Sequence, residues 1–211
     1  MKTKIRVIDY GVGNLHSVLR ACSLFSPDVR LASSSSEIAE ASHLILPGVG
    51  AFGTAVDQIQ QREIKPALME AAFGGKYMLG LCVGMQIMAD SGYENGKHEG
   101  LSLIPGEVCH LLPDQQKSFS RVPNMGWRRV ITVKQSVREN IRTLELPLTE
   151  YYFAHSFEFR AEDELDVTGY ITFDERPVVA AVQRDNVFGV QFHPEKSGPE
   201  GLQFLERFIN L

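Results

Sequence analysis

Gly80-Leu81-Cys82-Val83-Gly84 sets a thiol midway between two glycines, each two residues from it. The apolar Tyr77-Met78-Leu79 precedes it and Met85-Gln86-Ile87-Met88-Ala89 follows, a pattern that predicts a strand, a very tight turn and a helix, with Cys82 at the tip. Such an elbow strains the backbone at its apex and presses the flanking residues against strand and helix, so only small side chains fit two places either side. The apex side chain is pushed clear of the sheet, and the start of the next helix favours negative charge on the sulfur and lowers its pKa. Those properties suit a nucleophile. A cysteine among apolar neighbours also fits a buried core thiol, and so short a pattern recurs by chance; taken alone, the elbow leaves both readings open.

A thiol nucleophile needs a base, and the base needs a group to orient it. Val187-Phe188-Gly189-Val190-Gln191-Phe192 reads as a strand running straight into His193-Pro194-Glu195. If the backbone stays extended through the proline, residues two apart project to one side, and His193 and Glu195 become base and orienting carboxylate. The tripeptide by itself equally describes a surface histidine beside a solvated glutamate. Elbow and tripeptide together, in that order within an α/β pattern, are far more specific than either. A third candidate lies after the strand-like His43-Leu44-Ile45-Leu46, where Pro47-Gly48-Val49-Gly50 could turn backbone N–H groups toward a developing negative charge. Gly48 and Val49 are therefore expected to form an oxyanion hole with the N–H of Val83. An ordinary strand-to-helix turn would use the same glycines.

These residues require a scaffold. Ile5–Tyr10 reads as a first strand, Gly11-Val12-Gly13-Asn14 as a loop, and Leu15, Val18, Leu19 and Cys22 as one face of a helix. A dinucleotide loop is disfavoured, because His16 occupies the third glycine position of G-x-G-x-x-G. Val29–Ala32 is a second short strand, and Ser33–Ser36 before Glu37 looks like a capped helix start. Residues 52–73 are helical in pattern, with Pro66 in the first turn of a second helix and Gly74-Gly75 ending it. From 106 to 183 the pattern changes to short alternating strands, including Arg128–Val133 and Val167–Phe173, which read as an antiparallel extension. A closing helix after Ser197 is expected to turn Leu202, Leu205, Phe208 and Ile209 inward.

Composition narrows the function classes. With 211 residues and 44% hydrophobic content the chain fits a single domain, 1–211, with a sizeable core. A net charge of −5 argues against nucleic acid or an anionic membrane surface as partner. Three cysteines (Cys22, Cys82, Cys109) without C-x-x-C spacing favour a reducing compartment over a disulfide framework, and Cys22 and Cys109 read as core. The six histidines are not spaced as metal ligands, so neither a metal nor a cofactor is expected. The first residues lack the apolar stretch of a signal peptide and no run is long enough to span a bilayer, so a cytoplasmic location is expected.

The cysteine elbow with Gly84-Met85-Gln86 and the distant His193-Pro194-Glu195 resembles the triad-type class I glutamine amidotransferases. Ile8–Leu15, Leu46–Phe52, Pro123-Asn124-Met125-Gly126-Trp127 and Tyr152–Phe157 narrow the resemblance to the glutaminase subunits of imidazole glycerol phosphate synthase, over nearly the whole chain. The resemblance implies an α/β fold, flavodoxin-like, with a mostly parallel central sheet flanked by helices and an antiparallel β extension. It implies that Gln86 and Glu94 help hold glutamine, and that the backbone at His155 and Ser156 receives its α-amino or α-carboxylate group. Phe157 stands where the family is expected to carry Tyr. Asn14 and Ser17, with Pro123, Asn124, Met125 and Trp127, would face a (β/α)8-barrel cyclase subunit, which joins the ammonia to a formimino aminoimidazole ribotide. Activity alone would be weak, the Gly48-Val49 loop rearranging when the partner is loaded. Three alternatives stay open: a paralogue feeding another acceptor, such as an amidino-sugar; a free-standing cysteine hydrolase; and a catalytically silent scaffold subunit.

Overall fold

The structure is a computed structural model that describes residues 3–112, 121–133 and 142–211. Met1-Lys2 and the parts of the 106–183 region at 113–120 and 134–141 lie outside the described residues. The first half alternates strands and helices: β1 (Ile5–Ile8), α1 (Leu15–Ser23), β2 (Val29–Ala32), α2 (Ser35–Ala39), β3 (His43–Gly48), α3 (Phe52–Gln61), α4 (Lys65–Phe73), β4 (Tyr77–Cys82) and α5 (Val83–Gln86). Short strands dominate thereafter: β5 (Ser91–Gly92), β6 (His98–Glu99), β7 (Gly106–His110), β8 (Asn124–Arg129), β9 (Ile131–Thr132), β10 (Glu150–His155), β11 (Phe157–Ala161), β12 (Val167–Phe173), β13 (Arg176–Arg184) and β14 (Val187–Val190). Helix α6 (Gly198–Ile209) closes the chain.

The main sheet has eight strands in the order β2-β1-β3-β4-β14-β13-β12-β9. Its first five are parallel and follow the order of a flavodoxin-like sheet, with β14 in fifth place. The antiparallel strands β13, β12 and β9 extend that same sheet. A ribbon of β8 with β10 and a small sheet β11-β7-β5-β6 stand beside it. Both faces of the parallel half are covered, which is why β1 and β3 are buried at every position instead of alternating. Leu44 and Leu46 pack on one face with Ile38, Ile59 and Leu68 of α2, α3 and α4. Ile45 points to the other, with Val18 and Cys22 of α1 and Phe204 and Phe208 of α6.

Local structure departs from the sequence patterns at three places. Arg128–Val133 is not one strand: β8 and β9 belong to different sheets, and buried Val130 sits at the crossing with its N–H on the Thr149 carbonyl. The helix after Cys82 is a single turn, beyond which Met88 and Ala89 close on carbonyls three residues back. Helix α6 turns Leu202 only partly inward, half-buried against the core, and also buries Phe204, which packs edge-on against Phe192 and Tyr151. Among the described residues no helix is long and apolar enough to cross a membrane.

Candidate active site

The carboxyl ends of β1, β3, β4 and β14 meet at one edge of the sheet, where α/β folds place their sites. Cys82 ends β4 and adopts φ 53°, ψ −110°, a region that L-residues rarely occupy and that costs about 1–3 kcal/mol. The surroundings enforce it. A Cβ on Gly80 would come within 2.6 Å of the Gly84 backbone, and one on Gly84 would be driven into the Leu46 carbonyl of β3. Gly48 is in register with Cys82, and a side chain there would strike Gly84 N at 2.6 Å. The glycines thus allow β3, β4 and α5 to approach backbone to backbone, with the Cys82 thiol at the apex and only 3% of the residue exposed. Because α5 is one turn long, its dipole is a weak source of stabilisation for a sulfur anion.

His193 faces that thiol from the end of β14. Three hydrogen bonds fix it: its N–H donates to the Tyr152 carbonyl at 2.9 Å, and buried Ser197 donates from Oγ to the His193 carbonyl at 2.6 Å while accepting from Tyr152 N at 2.9 Å. The chain does not stay extended through Pro194, as the sequence reading assumed. It turns into a 3-10 helix over Pro194–Lys196, and Glu195 reaches back to His193 across that turn, Nδ1 to Oε1 at 3.1 Å. Both side chains are nearly excluded from solvent, at 5% and 2%. Burial opposes charge on the imidazole, yet the hydrogen bonds and charges of Cys82 and Glu195 outweigh it and lift the His193 pKa to about 9. An imidazolium there sets positive charge beside Cys82 Sγ.

These groups open into a cleft of about 330 Å³ lined by Cys82, His193, Gln86, Glu94, Val49 and the Ala154–Phe157 stretch. Gln86, buried, donates from Nε2 to the Phe157 carbonyl at 3.1 Å and to Gln191 Oε1 at 3.0 Å. Glu94 reaches across from its loop and accepts the Phe52 N–H at 2.9 Å through Oε2, tying its carboxylate to the start of α3 just after the Val49-Gly50 loop. His155 is held neutral: burial pushes its pKa down to about 4, while Nδ1 pairs with the Phe157 carbonyl at 2.8 Å and Nε2 with Asn124 Nδ2 at 2.8 Å. Ser156 and Phe157 lie half-buried at the cleft wall. Val83 lines the same cleft, and Gly48 lies directly behind it.

The residues expected to face a partner are distributed unevenly. Pro123 and Met125 line the mouth of the cleft, and Met125 and Trp127 stand 59% and 50% exposed. Asn124 is fully buried, its Oδ1 receiving Arg128 Nε at 3.0 Å and its Nδ2 engaged with His155. Its side chain is committed to the interior, since strand alternation turns it away from its exposed neighbours. Asn14 and Ser17 flank the start of α1, half-buried and outside the cleft lining. Cys22 and Cys109 lie outside the cleft lining; Cys22 is buried as expected of a core thiol, Cys109 only half-buried, and burial pushes their thiols up to about 12 and about 11.

Sequence reasoning passed over three residues here. Tyr10, fully buried past the end of β1, donates its hydroxyl to the Pro47 carbonyl and holds the loop that carries Gly48. Lys196 lines the cleft mouth. Gln191 donates from Nε2 to Cys82 Sγ at 3.5 Å; a glutamine inside an apolar strand, two residues before a candidate base, was its visible signal.

Residues 6–211 match the family model of the class-I glutamine amidotransferases, and the chain belongs to that family. Imidazole glycerol phosphate synthase subunit HisH of Salinibacter ruber is 42% identical to it, covering 97% of this chain and 93% of its own length. The proteins of the same name from Streptococcus sanguinis and Wolinella succinogenes are 43% and 39% identical, over 96% and 98% of this chain and 93% and 99% of their own lengths. Among solved structures, a crystal structure of a glutamine amidotransferase superposes with a TM-score of 0.72 at 15% identity, covering 98% of this chain and 99% of its own. A chain of PurLQS from Thermotoga maritima does so with 0.71 at 19%, over 100% and 99%. These two likenesses concern the fold.

Proposed function

We propose that the chain, acting over its whole length as one unit, is the glutaminase subunit of an imidazole glycerol phosphate synthase. It hydrolyses glutamine to glutamate and hands the ammonia to a separate cyclase subunit. The observation that carries the chemistry is the strained Cys82 elbow facing the buried His193–Glu195 pair across a cleft of about 330 Å³. The pathway is supported by full-length relatives of that name at about 40% identity.

In the proposed cycle the Cys82 thiolate attacks the side-chain amide carbon of glutamine, forming the C–S bond and placing negative charge on the amide oxygen. Backbone N–H groups of Val83 and of the Gly48-Val49 loop receive that oxygen. Nδ1 of His193 is taken by Glu195, which leaves Nε2 to pass its proton to the departing nitrogen; the C–N bond breaks and ammonia leaves. The neutral imidazole then takes a proton from water as its oxygen adds to the thioester carbon. The C–S bond breaks, glutamate departs and the ion pair returns. Glu94 and the backbone at His155 and Ser156 anchor the α-ammonium and α-carboxylate of glutamine, and Gln86 completes the wall.

Ammonia released into water at neutral pH becomes ammonium, which is not nucleophilic, so the product must pass directly to its acceptor. By the family resemblance the acceptor chain is a (β/α)8-barrel cyclase, and the exposed Met125 and Trp127 beside the cleft mouth suit contact with it. The test is reconstitution with a cyclase subunit. Wild-type complex should form imidazole glycerol phosphate from glutamine, whereas Cys82→Ala complex should do so only with ammonium salts. Glutamine-dependent product from the Cys82→Ala complex would contradict the reading.

A further inference from the structure

Among the described residues, Gln191 is a polar side chain hydrogen-bonded to the candidate nucleophile that the cycle above does not use. It is 0% exposed, and its backbone N–H is fixed by the Ala180 carbonyl at 2.9 Å. Both ends of its side-chain amide are engaged, and the network sets which end faces which partner. Gln86 donates to the Phe157 carbonyl at 3.1 Å, and a backbone carbonyl only accepts, so the Gln86 atom there is its NH2. That same NH2 meets Gln191 at 3.0 Å, so Gln191 must present its oxygen to Gln86. Its own NH2 is thereby aimed at Cys82 Sγ, 3.5 Å away. A carbonyl oxygen, Ala154, lies 4.0 Å from the sulfur and offers an acceptor only to the protonated thiol.

We infer that Gln191 is a further catalytic residue of the reaction proposed above: its side-chain N–H is a fixed donor to the Cys82 sulfur that stabilises the thiolate. The inference rests on Cys82 being the nucleophile. A hydrogen bond to an anion is roughly twice as strong as one to a neutral acceptor. The bond is therefore strongest when Cys82 attacks as a thiolate and again when the thiolate leaves the carbonyl carbon, and weakest in the thioester between. A neutral donor achieves this without a second positive charge that would repel the His193 imidazolium. The Gln86 link adds a coupling, since the residue at the wall of the glutamine cleft fixes the orientation of the donor.

The test is alkylation of Cys82 by iodoacetamide against pH in the full chain, without glutamine, read by peptide mass spectrometry. The titratable groups facing the sulfur are His193 beyond β14, Glu195 behind it, Tyr10 after β1 and His155 at the end of β10, and all stay unchanged. Gln191→Met removes the donor at similar size and should move the profile to higher pH, lowering Cys82 alkylation near pH 7 about tenfold. Gln191→Glu keeps an acceptor for Gln86 but replaces the donor by an anion, and should move the profile further. Alkylation of Cys109 in the same samples, which should not change, reports that the chain is folded. If Gln191→Met does not fold, Gln191→Glu carries the test. Profiles of a folded variant that superpose on wild type overturn the inference. Wild-type protein lacking Cys82-dependent glutaminase activity with its partner would overturn the underlying reading instead, so the two failures are distinguishable.

Discussion

His193 holds its proton above neutral pH because its hydrogen bonds and charge interactions with Cys82 and Glu195 outweigh the burial that would otherwise keep it neutral. Proton donation to the departing nitrogen should therefore persist until the pH passes about 9. The basic limb of glutaminase kcat/KM should fall there, and Glu195→Gln should bring that limb to lower pH; a limb that does not move would show that Glu195 does not set it. Cys82, His193 and Glu195 were legible in the sequence because glycine spacing and a strand running into His-Pro-Glu are covalent facts. Gln191 and Tyr10 were not, since their roles exist only once β1, β3, β4 and β14 lie side by side. His43 shows the opposite use of burial. Packed against Tyr77 and Phe208, it is pushed down to about 4 by desolvation, and its Nε2 has no partner among the described residues. The unfolded chain takes up that proton near pH 6.5, the folded chain only near 4, so stability should fall as pH drops between them, by about 1.4 kcal/mol per unit. His43→Phe should shrink the Tm difference between pH 7.5 and pH 5; an undiminished difference would contradict the assignment.

The elbow is the element on which the site depends, and its strain is measurable. Cys82→Gly relieves a positive φ that Cys82→Ala retains, so the glycine variant should be the more stable of these two inactive forms by about 1 kcal/mol. Gly84→Ala sets a methyl into the Leu46 carbonyl and should cost about 3 kcal/mol or more, with loss of Cys82 alkylation; wild-type stability would refute the close approach of β3 and α5. Periodicity revealed β3 and β4 because a strand buried on both faces reads as a nearly unbroken apolar run, while the edge strand β2 is only partly buried and read as a strand through its short Val-x-Leu alternation. It misjudged the His193–Glu195 connection, where a 3-10 turn achieves the pairing expected of extended chain. It also fused β8 with β9, because a strand that changes sheets keeps its apolar alternation through the bend.

At the scale of the molecule, one sheet edge gathers Cys82, His193 and a cleft lined by the exposed Met125 and Val49, at 59% and 40%, with Trp127 two residues farther along β8 also 50% exposed. Exposed apolar side chains beside a cleft are those a partner would cover. Trp127→Ala should weaken assembly with the cyclase at least about tenfold while leaving alkylation of Cys82 in the free chain unchanged. The most direct measurement is glutamate release from glutamine by the pure chain, alone and with a cyclase subunit loaded with its ribotide ligand, using Cys82→Ala as control. A large rise that requires both the loaded partner and Cys82 is the predicted result. Equal activity without the partner, extending to other amides, would contradict it and identify a free-standing cysteine hydrolase.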